Sequence, residues 1–325
     1  MKNAVAEFQE LVDAQLKLLD FPTRPDSLYE PVRYMLAIGG KRIRPVMVLM
    51  ANEMFGGSTV NALPAAMGVE VFHNFTLLHD DIMDKAPLRR GKSTVHEKWN
   101  PNIAILSGDA MFVKSCQLMM MSPTSAVPVV MDLFLKVAQE VCEGQQLDMD
   151  FENAGKVHIP EYLEMIRLKT AVLVGASLGI GAAVAGATKD EVKHLIDFGV
   201  NLGVAFQLQD DILDVYGDAQ KFGKQVGGDI MANKKTYLLL TALENAGESA
   251  LAELNKWLSY SGENSNEKVI AVTALYDQLR VRTIAEEKME QLYAEALSHL
   301  DALPLSAEQT KPLRQLAAML MAREN

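Results

Sequence analysis

The chain has 325 residues, enough for one large domain or two ordinary ones, and its 49% hydrophobic content supplies a core. A net charge of −11 argues against nucleic acid as a partner, although local basic clusters stay open. Cys116 and Cys142 form neither a disulfide framework nor a metal spacing, which points to a reducing compartment.

Helix-period segments punctuated by Gly, Pro and Asn follow one another without strand-like alternation, so the chain reads as all-α. The first two helices are expected over 5–19 and 27–37, the second stopping at Gly39-Gly40. Gly40-Lys41-Arg42-Ile43-Arg44-Pro45 then leads into a helix over 46–55. Pro45 suits a first turn, so three basic side chains gather beside free amides. That is a ready anion site, with a solvated turn as the plainer alternative.

A long helix over 61–85 carries Leu77-Leu78-His79-Asp80-Asp81-Ile82-Met83-Asp84. At 3.6 residues per turn Asp80 and Asp84 share one face, with Asp81 beside them. Pro87 disfavours helix at Ala86, which puts the triad at the negative end of the helix dipole. Adjacent like charges cost about 0.2–0.5 kcal/mol each, and multivalent cations would remove the conflict. An all-oxygen donor set suits Mg²⁺. The apolar flanks Phe75, Leu77, Leu78 and Ile82 are too greasy for an ordinary solvated helix end. A basic loop over 88–94 follows. It suggests a phosphate bridged between cations and metal, with neutralisation of the triad by Arg89 and Arg90 as the alternative.

Further helices are expected over 102–122 and 124–151, then from Pro160. The latter carries Lys169-Thr170 just before residues 171–188, a run with six Ala and four Gly, where close packing or a local break is tolerated. This run suits a core helix better than a membrane span, and the start of the chain has no apolar signal core, so no transmembrane segment and a cytoplasmic location are expected. Thr188 and Glu191 read as a capping box opening the helix that ends in a second triad, Asp210, Asp211 and Asp214, with Gly217 as its cap. The Gly- and Lys-rich stretch 217–233 lacks the strand a P-loop needs and suits a phosphate-contacting lid. The rest reads as helical, with an exposed loop over 261–267.

Taken in order, GGKRIRP (39–45), LLHDDIMD (77–84), LRRGKSTVH (88–96), LKT (168–170), FQLQDDILD (206–214) and GKQVGGD (223–229) resemble the trans-isoprenyl diphosphate synthases of the short-chain farnesyl and geranylgeranyl type. The resemblance implies a single domain over residues 1–325, an antiparallel helical bundle around a deep central cavity (the isoprenoid synthase fold), and a homodimer. It implies Mg²⁺ between the two triad helices. Asp80, Asp84 and Asp210 would be the main ligands, with Asp81, Asp211 and Asp214 binding directly or through water. Arg89, Lys169 and Lys224, with Lys234 nearby, would grip the allylic diphosphate. Lys41, Arg44, His73 and Arg90 would hold isopentenyl diphosphate, and Thr170 and Gln207 would lie near the developing allylic cation. The family's later motif reads Gly-Lys-x-Thr with a following Pro. Asn233 and Leu238 stand there in this chain, so Lys234 and Lys235 are both candidates.

The implied reaction is head-to-tail (1′-4) condensation, in which metal and lysines stabilise the departing diphosphate inside a dry pocket. Phe75 lies five residues before Asp80, about 7.5 Å lower along the helix, and Phe72 about one turn further down. A bulky floor there resembles short-chain members. The absence of an insertion in the first motif and the non-aromatic Thr76 tip the expectation to geranylgeranyl over farnesyl diphosphate. Plain core packing of both Phe, and a longer-chain product, are the alternatives. Terpene cyclases lack the second triad and the basic box, and a non-catalytic partner subunit would be expected to lose one triad. A di-iron site could use Glu70–His73 and Glu191–His194 but leaves every basic motif unexplained.

Overall fold

The computed structural model describes residues 4–217, 227–260 and 265–322. Two compact units emerge. One comprises the chain up to Val137 with Leu173–Ile196 and Leu303–Leu313; the other comprises Ala138–Val172, Asp197–Ala302 and the chain from Arg314.

The helices are α1 (Ala4–Leu18), α2 (Asp26–Ala37), α3 (Ile43–Met54), α4 (Thr59–Met83), α5 (Val95–Lys98), α6 (Pro101–Met119), α7 (Val127–Asn153) and α8 (Ile159–Ile166). A π-helical turn (Arg167–Ala171) precedes α9 (Val172–Ala185) and α10 (Lys189–Tyr216). Then come α11 (Gly228–Met231), α12 (Tyr237–Asn245), α13 (Glu248–Leu258), α14 (Ser265–Gln278), α15 (Val281–Asp301) and α16 (Ala307–Met321). The all-α reading holds with one correction. The basic loop after the first triad is a two-stranded antiparallel hairpin, Leu88–Arg89 with Lys92–Ser93. Its turn residues Arg90 and Gly91 both have positive φ, 52° and 74°. Such a turn matches the twist of paired strands, so two residues per strand suffice.

In the first unit α4 and α6 run antiparallel. Gly68 meets Ser115, Leu118 and Met119, while His79, three turns later, meets Gly108 and Ile105. Between them lies an aromatic cluster of Phe72, Phe75, Phe112 and Phe134, with centroid separations of 5.2–6.3 Å. Burying each ring fully is worth roughly 1.5–3 kcal/mol. The Gly/Ala run is core, as expected. A Cβ on Gly181 would stand 2.1 Å from the Val48 carbonyl oxygen, and 78% of the most apolar window within residues 159–185 is buried.

In the second unit Val157, Tyr162, Met165 and Ile166 pack with Val204, Leu208 and Ile212 of α10 and with Tyr237, Leu240, Ala285 and Leu292. A second cluster joins Val215 and Ile230 to Leu239, Leu254, Val272 and Tyr276. The Thr188–Glu191 capping box forms, the Thr188 amide donating to Glu191 Oε2 at 2.7 Å and the Glu191 amide to Thr188 Oγ1 at 3.3 Å.

Candidate active site

The basic box starts with a backbone device. Gly39 adopts φ +95°, and a methyl on Gly40 would stand 2.7 Å from Arg90 Nη1. One glycine therefore makes the turn, and the next lets the Arg90 guanidinium lie against the main chain. Arg42, at φ 52°, precedes α3 and is 6% exposed. Its Nε donates to Asp13 Oδ1 at 3.0 Å, Nη1 to Glu70 Oε1 at 2.5 Å and Nη2 to the Leu36 carbonyl at 3.0 Å. Of the three basic residues in the motif, Arg42 is thus a strut. Lys41 is exposed.

Arg44 differs. Its Nη1 lies 3.3 Å from His73 Nε2. Arginine only donates, so that His nitrogen accepts and the proton sits on Nδ1. Arg44 Nε has no hydrogen-bond partner among the described residues. Burial lowers the His73 pKa well below the ordinary value, and Arg44, Arg90, Arg89 and Arg42 push it further down. Four guanidinium groups bear on one neutral imidazole. Glu70 is already committed to Arg42 and to Asn74 Nδ2 at 2.9 Å, so it is not an available iron ligand. This is a site short of negative charge.

The first triad ends α4 in a Schellman motif. The Ala86 amide donates to the Asp81 carbonyl at 3.0 Å and the Lys85 amide to the Ile82 carbonyl at 3.2 Å, with Lys85 at φ 50°. The three carboxylates do not share one environment. Asp81 is 2% exposed and takes Arg89 in a fork, Nε at 2.8 and 2.9 Å from its two oxygens and Nη2 at 2.7 Å. Asp80 is half-buried and Asp84 exposed. The neutralisation that the sequence offered as the plainer alternative occurs at the middle Asp, through Arg89. Thr94 Oγ1 to the Ala86 carbonyl and Tyr34 Oη to the Ser93 carbonyl, both 2.7 Å, anchor the hairpin.

The second triad repeats the arrangement. Asp211 is 3% exposed. It accepts from Tyr162 Oη at 2.5 Å, the Tyr237 amide at 3.3 Å and Gln207 Nε2 at 3.4 Å. Burial pushes its pKa up to about 7, offset in part by the Tyr162 hydrogen bond and reinforced by Asp229. Asp214 Oδ2 accepts the Asp229 amide at 2.9 Å, so this carboxylate also caps the short α11. Asp210 is half-buried. Gly217 closes α10 by donating to the Leu213 carbonyl at 2.9 Å.

Lys169 and Thr170 stand in the π-helical turn, both half-buried, and Lys169 Nζ pairs with Asp148 Oδ2 at 2.5 Å. Lys235 Nζ donates to the Phe151 carbonyl and, at 3.4 Å, to that of Glu152, at the negative end of α7. Lys234 is exposed and close enough to lower the Asp211 pKa. Lys224, and with it residues 218–226 of the expected lid and 261–264 of the expected loop, lie outside the described residues. Among the described residues no three His, Cys, Asp or Glu side chains gather into a metal cluster. Phe72 is 1% exposed, Phe75 is half-buried with His79 at 4.7 Å, and Thr76 Oγ1 turns back to the His73 carbonyl at 2.8 Å. Phe112, Asp148 and Tyr162 were missed by the motif reading. Only their spacing-independent contacts reveal them.

Residues 25–276 match the family model for polyprenyl synthetases. This chain belongs to the polyprenyl synthetase family. As a member it is a trans-prenyltransferase of the short-chain type. It is 42% identical over 252 residues to a geranylgeranyl diphosphate synthase of Methanosarcina mazei, covering 74% of this chain and 78% of that one. A crystal structure of a geranylgeranyl pyrophosphate synthase superposes with TM-score 0.93 at 44% identity, over 99% of both chains. Another, from Corynebacterium glutamicum and complexed with isoprenyl diphosphate and magnesium, gives TM-score 0.81 at 27% identity, over 99% of this chain and 97% of that one.

Proposed function

We propose that this polyprenyl synthetase joins isopentenyl diphosphate head-to-tail to an allylic diphosphate with the help of Mg²⁺, and that its product is short, geranylgeranyl rather than farnesyl diphosphate. The observation that carries the reading is the charge-deficient pocket around His73, with the unsatisfied Arg44 Nε beside it. A diphosphate brings the missing negative charge and acceptors.

The donor set fits Mg²⁺, which binds through one or two carboxylates and leaves positions for water and phosphate oxygens. Asp80 with Asp84, and separately Asp210, would hold it, while the buried Asp81 and Asp211 orient their helices and Asp214 divides its oxygens between cap and ion. Bound there, the ion would neutralise charge that grows on the diphosphate as the allylic C–O bond breaks. Lys41, Arg44, His73 and Arg90 hold isopentenyl diphosphate, His73 donating from Nδ1 or, once the anion raises its pKa, from both nitrogens. Arg89 spends Nε and Nη2 on Asp81 and offers Nη1 to the allylic diphosphate. Lys169, Lys234 and Lys224 supply further cations, the first exchanging Asp148 for phosphate. Thr170 and Gln207 face the allylic cation with hydroxyl and amide oxygen, and the departing diphosphate takes the final proton.

Phe75, backed by Phe112 and Phe72, would form the floor. The exposed apolar residues Leu106, Val113 and Met120, seven apart along one face of α6 and its end, support a homodimer through that face. Two free cysteines support a cytoplasmic setting.

Purified protein with Mg²⁺, labelled isopentenyl diphosphate and dimethylallyl, geranyl or farnesyl diphosphate in turn is expected to yield a twenty-carbon prenol after phosphatase treatment. Phe75→Ala should lengthen it by at least one isoprene unit. Wild-type polyprenols of thirty carbons or more would overturn the floor, and no condensation with any primer would overturn the reading itself.

A further inference from the structure

The π-helical turn Arg167–Ala171 has no role in the reading above beyond containing Lys169 and Thr170. A π turn holds one residue more than an α turn, packs poorly, and persists where its surroundings impose it. Here those surroundings are two absent side chains. A methyl on Gly144 of α7 would stand 2.2 Å from Lys169 N and 2.7 Å from both Leu168 C and Lys169 Cα. A methyl on Gly203 of α10 would stand 2.8 Å from Cα and Cβ of Ala171. Neither glycine has a positive φ, so closeness and not backbone freedom explains them.

Each glycine also sits one turn before a polar partner on the same helix face. Gly144 precedes Asp148, which holds Lys169 Nζ at 2.5 Å. Gly203 precedes Gln207, which donates to Asp211 at 3.4 Å. One face of α7 therefore sets both the backbone and the ammonium of Lys169, and one face of α10 sets both the Ala171 backbone and the second triad.

We propose that Gly144 and Gly203 are positioning residues for prenyl transfer, two gaps that clamp residues 167–171 in π register so that Lys169 and Thr170 point at the allylic diphosphate. The inference rests on the proposed function. Closing the turn to α with the same residues would rotate one flank about 100° against the other, and a misplacement of about 1 Å already costs on the order of 100-fold in rate.

The test compares Gly144→Ala, Gly203→Ala, deletion of Arg167 and Gly181→Ala, reading kcat, KM for geranyl diphosphate, and Tm. The deletion removes the extra residue, so an α-helix can run through with its flanks in phase. Gly181→Ala makes an equally tight clash against Val48 in the other unit and serves as the control for plain destabilisation. The two glycine variants and the deletion should lose about 100-fold in kcat, the deletion with Tm at or above wild type. Gly181→Ala should lower Tm while kcat holds. A folded deletion variant with wild-type kcat, or a Gly181→Ala variant losing kcat in step with Gly144→Ala, would overturn the proposal. If the glycine variants do not fold, the deletion decides alone. A deletion that itself does not fold also counts against the clamp, because an in-phase α turn should be tolerated. Wild type without condensation would sink the proposed function together with this inference, whereas an active wild type with indifferent variants sinks only the clamp.

Discussion

In the first aspartate triad the buried middle carboxylate, Asp81, meets a guanidinium fork. In the second, Asp211 meets a phenol, a backbone amide and a carboxamide. Both triads thus turn one carboxylate inward, but the first gives it a guanidinium fork and the second a set of neutral donors. The ion pair of Asp81 is complete within its own unit. Asp211 has neutral hydrogen-bond donors and only the more distant pull of Lys234, which together do not repay the desolvation of an anion, and its pKa stays up at about 7. The lesson is that a repeated motif fixes geometry while the non-repeated neighbours fix charge.

The largest effects should come from what the triads share. Asp80→Ala and Asp210→Ala should each lower kcat by about 100-fold or more, since each removes a carboxylate that would place the charge-stabilising ion. Equal Mg²⁺-dependence in an Asp80→Ala variant with wild-type turnover would remove the metal assignment. The middle positions should separate next. Asp81→Ala strands the Arg89 guanidinium, whose side chain is 24% exposed, and should cost about 3 kcal/mol in urea unfolding. Asp211→Asn should behave differently. A carboxyl whose folded pKa lies above its unfolded value near 3.8 stabilises the fold fully below that value and loses the contribution as pH rises through about 7. Metal-free wild type should therefore lose Tm relative to Asp211→Asn between pH 5 and pH 8, and a pH-independent gap would refute the neutral-donor account. Tyr162→Phe should cost about 1–3 kcal/mol by leaving Asp211 without its shortest hydrogen bond. Smallest of all, Lys85→Gly should raise stability by up to about 1 kcal/mol, because the first triad ends on a left-handed Lys where glycine fits without strain.

Much of this was legible in the chain. Helix periodicity located the principal helices, Pro87 and Gly217 marked where the triad helices stop, and the Thr188–Glu191 box formed as its spacing requires. What the sequence withheld were partners supplied from afar. Arg42 looks like Lys41 and Arg44 until Asp13 and Glu70 reach it from other helices. Nothing near Asp211 announces Tyr162, 49 residues away. Gly144 and Gly203 sit inside helices with ordinary backbone angles, and their meaning is distance to a segment that periodicity alone reads as continuous α-helix. The hairpin escaped because two residues per strand are too few to show alternation.

That hairpin has a consequence for anyone altering this protein. Arg89 closes the first strand and is sent to Asp81, while Arg90 opens the turn at φ 52° and is sent to Gly40. The hairpin works as a two-way plug whose aim is set by where strand ends and turn begins. Adding or removing one residue within 88–93 would move that boundary and take both arginines off their partners, although no contact residue itself had been replaced.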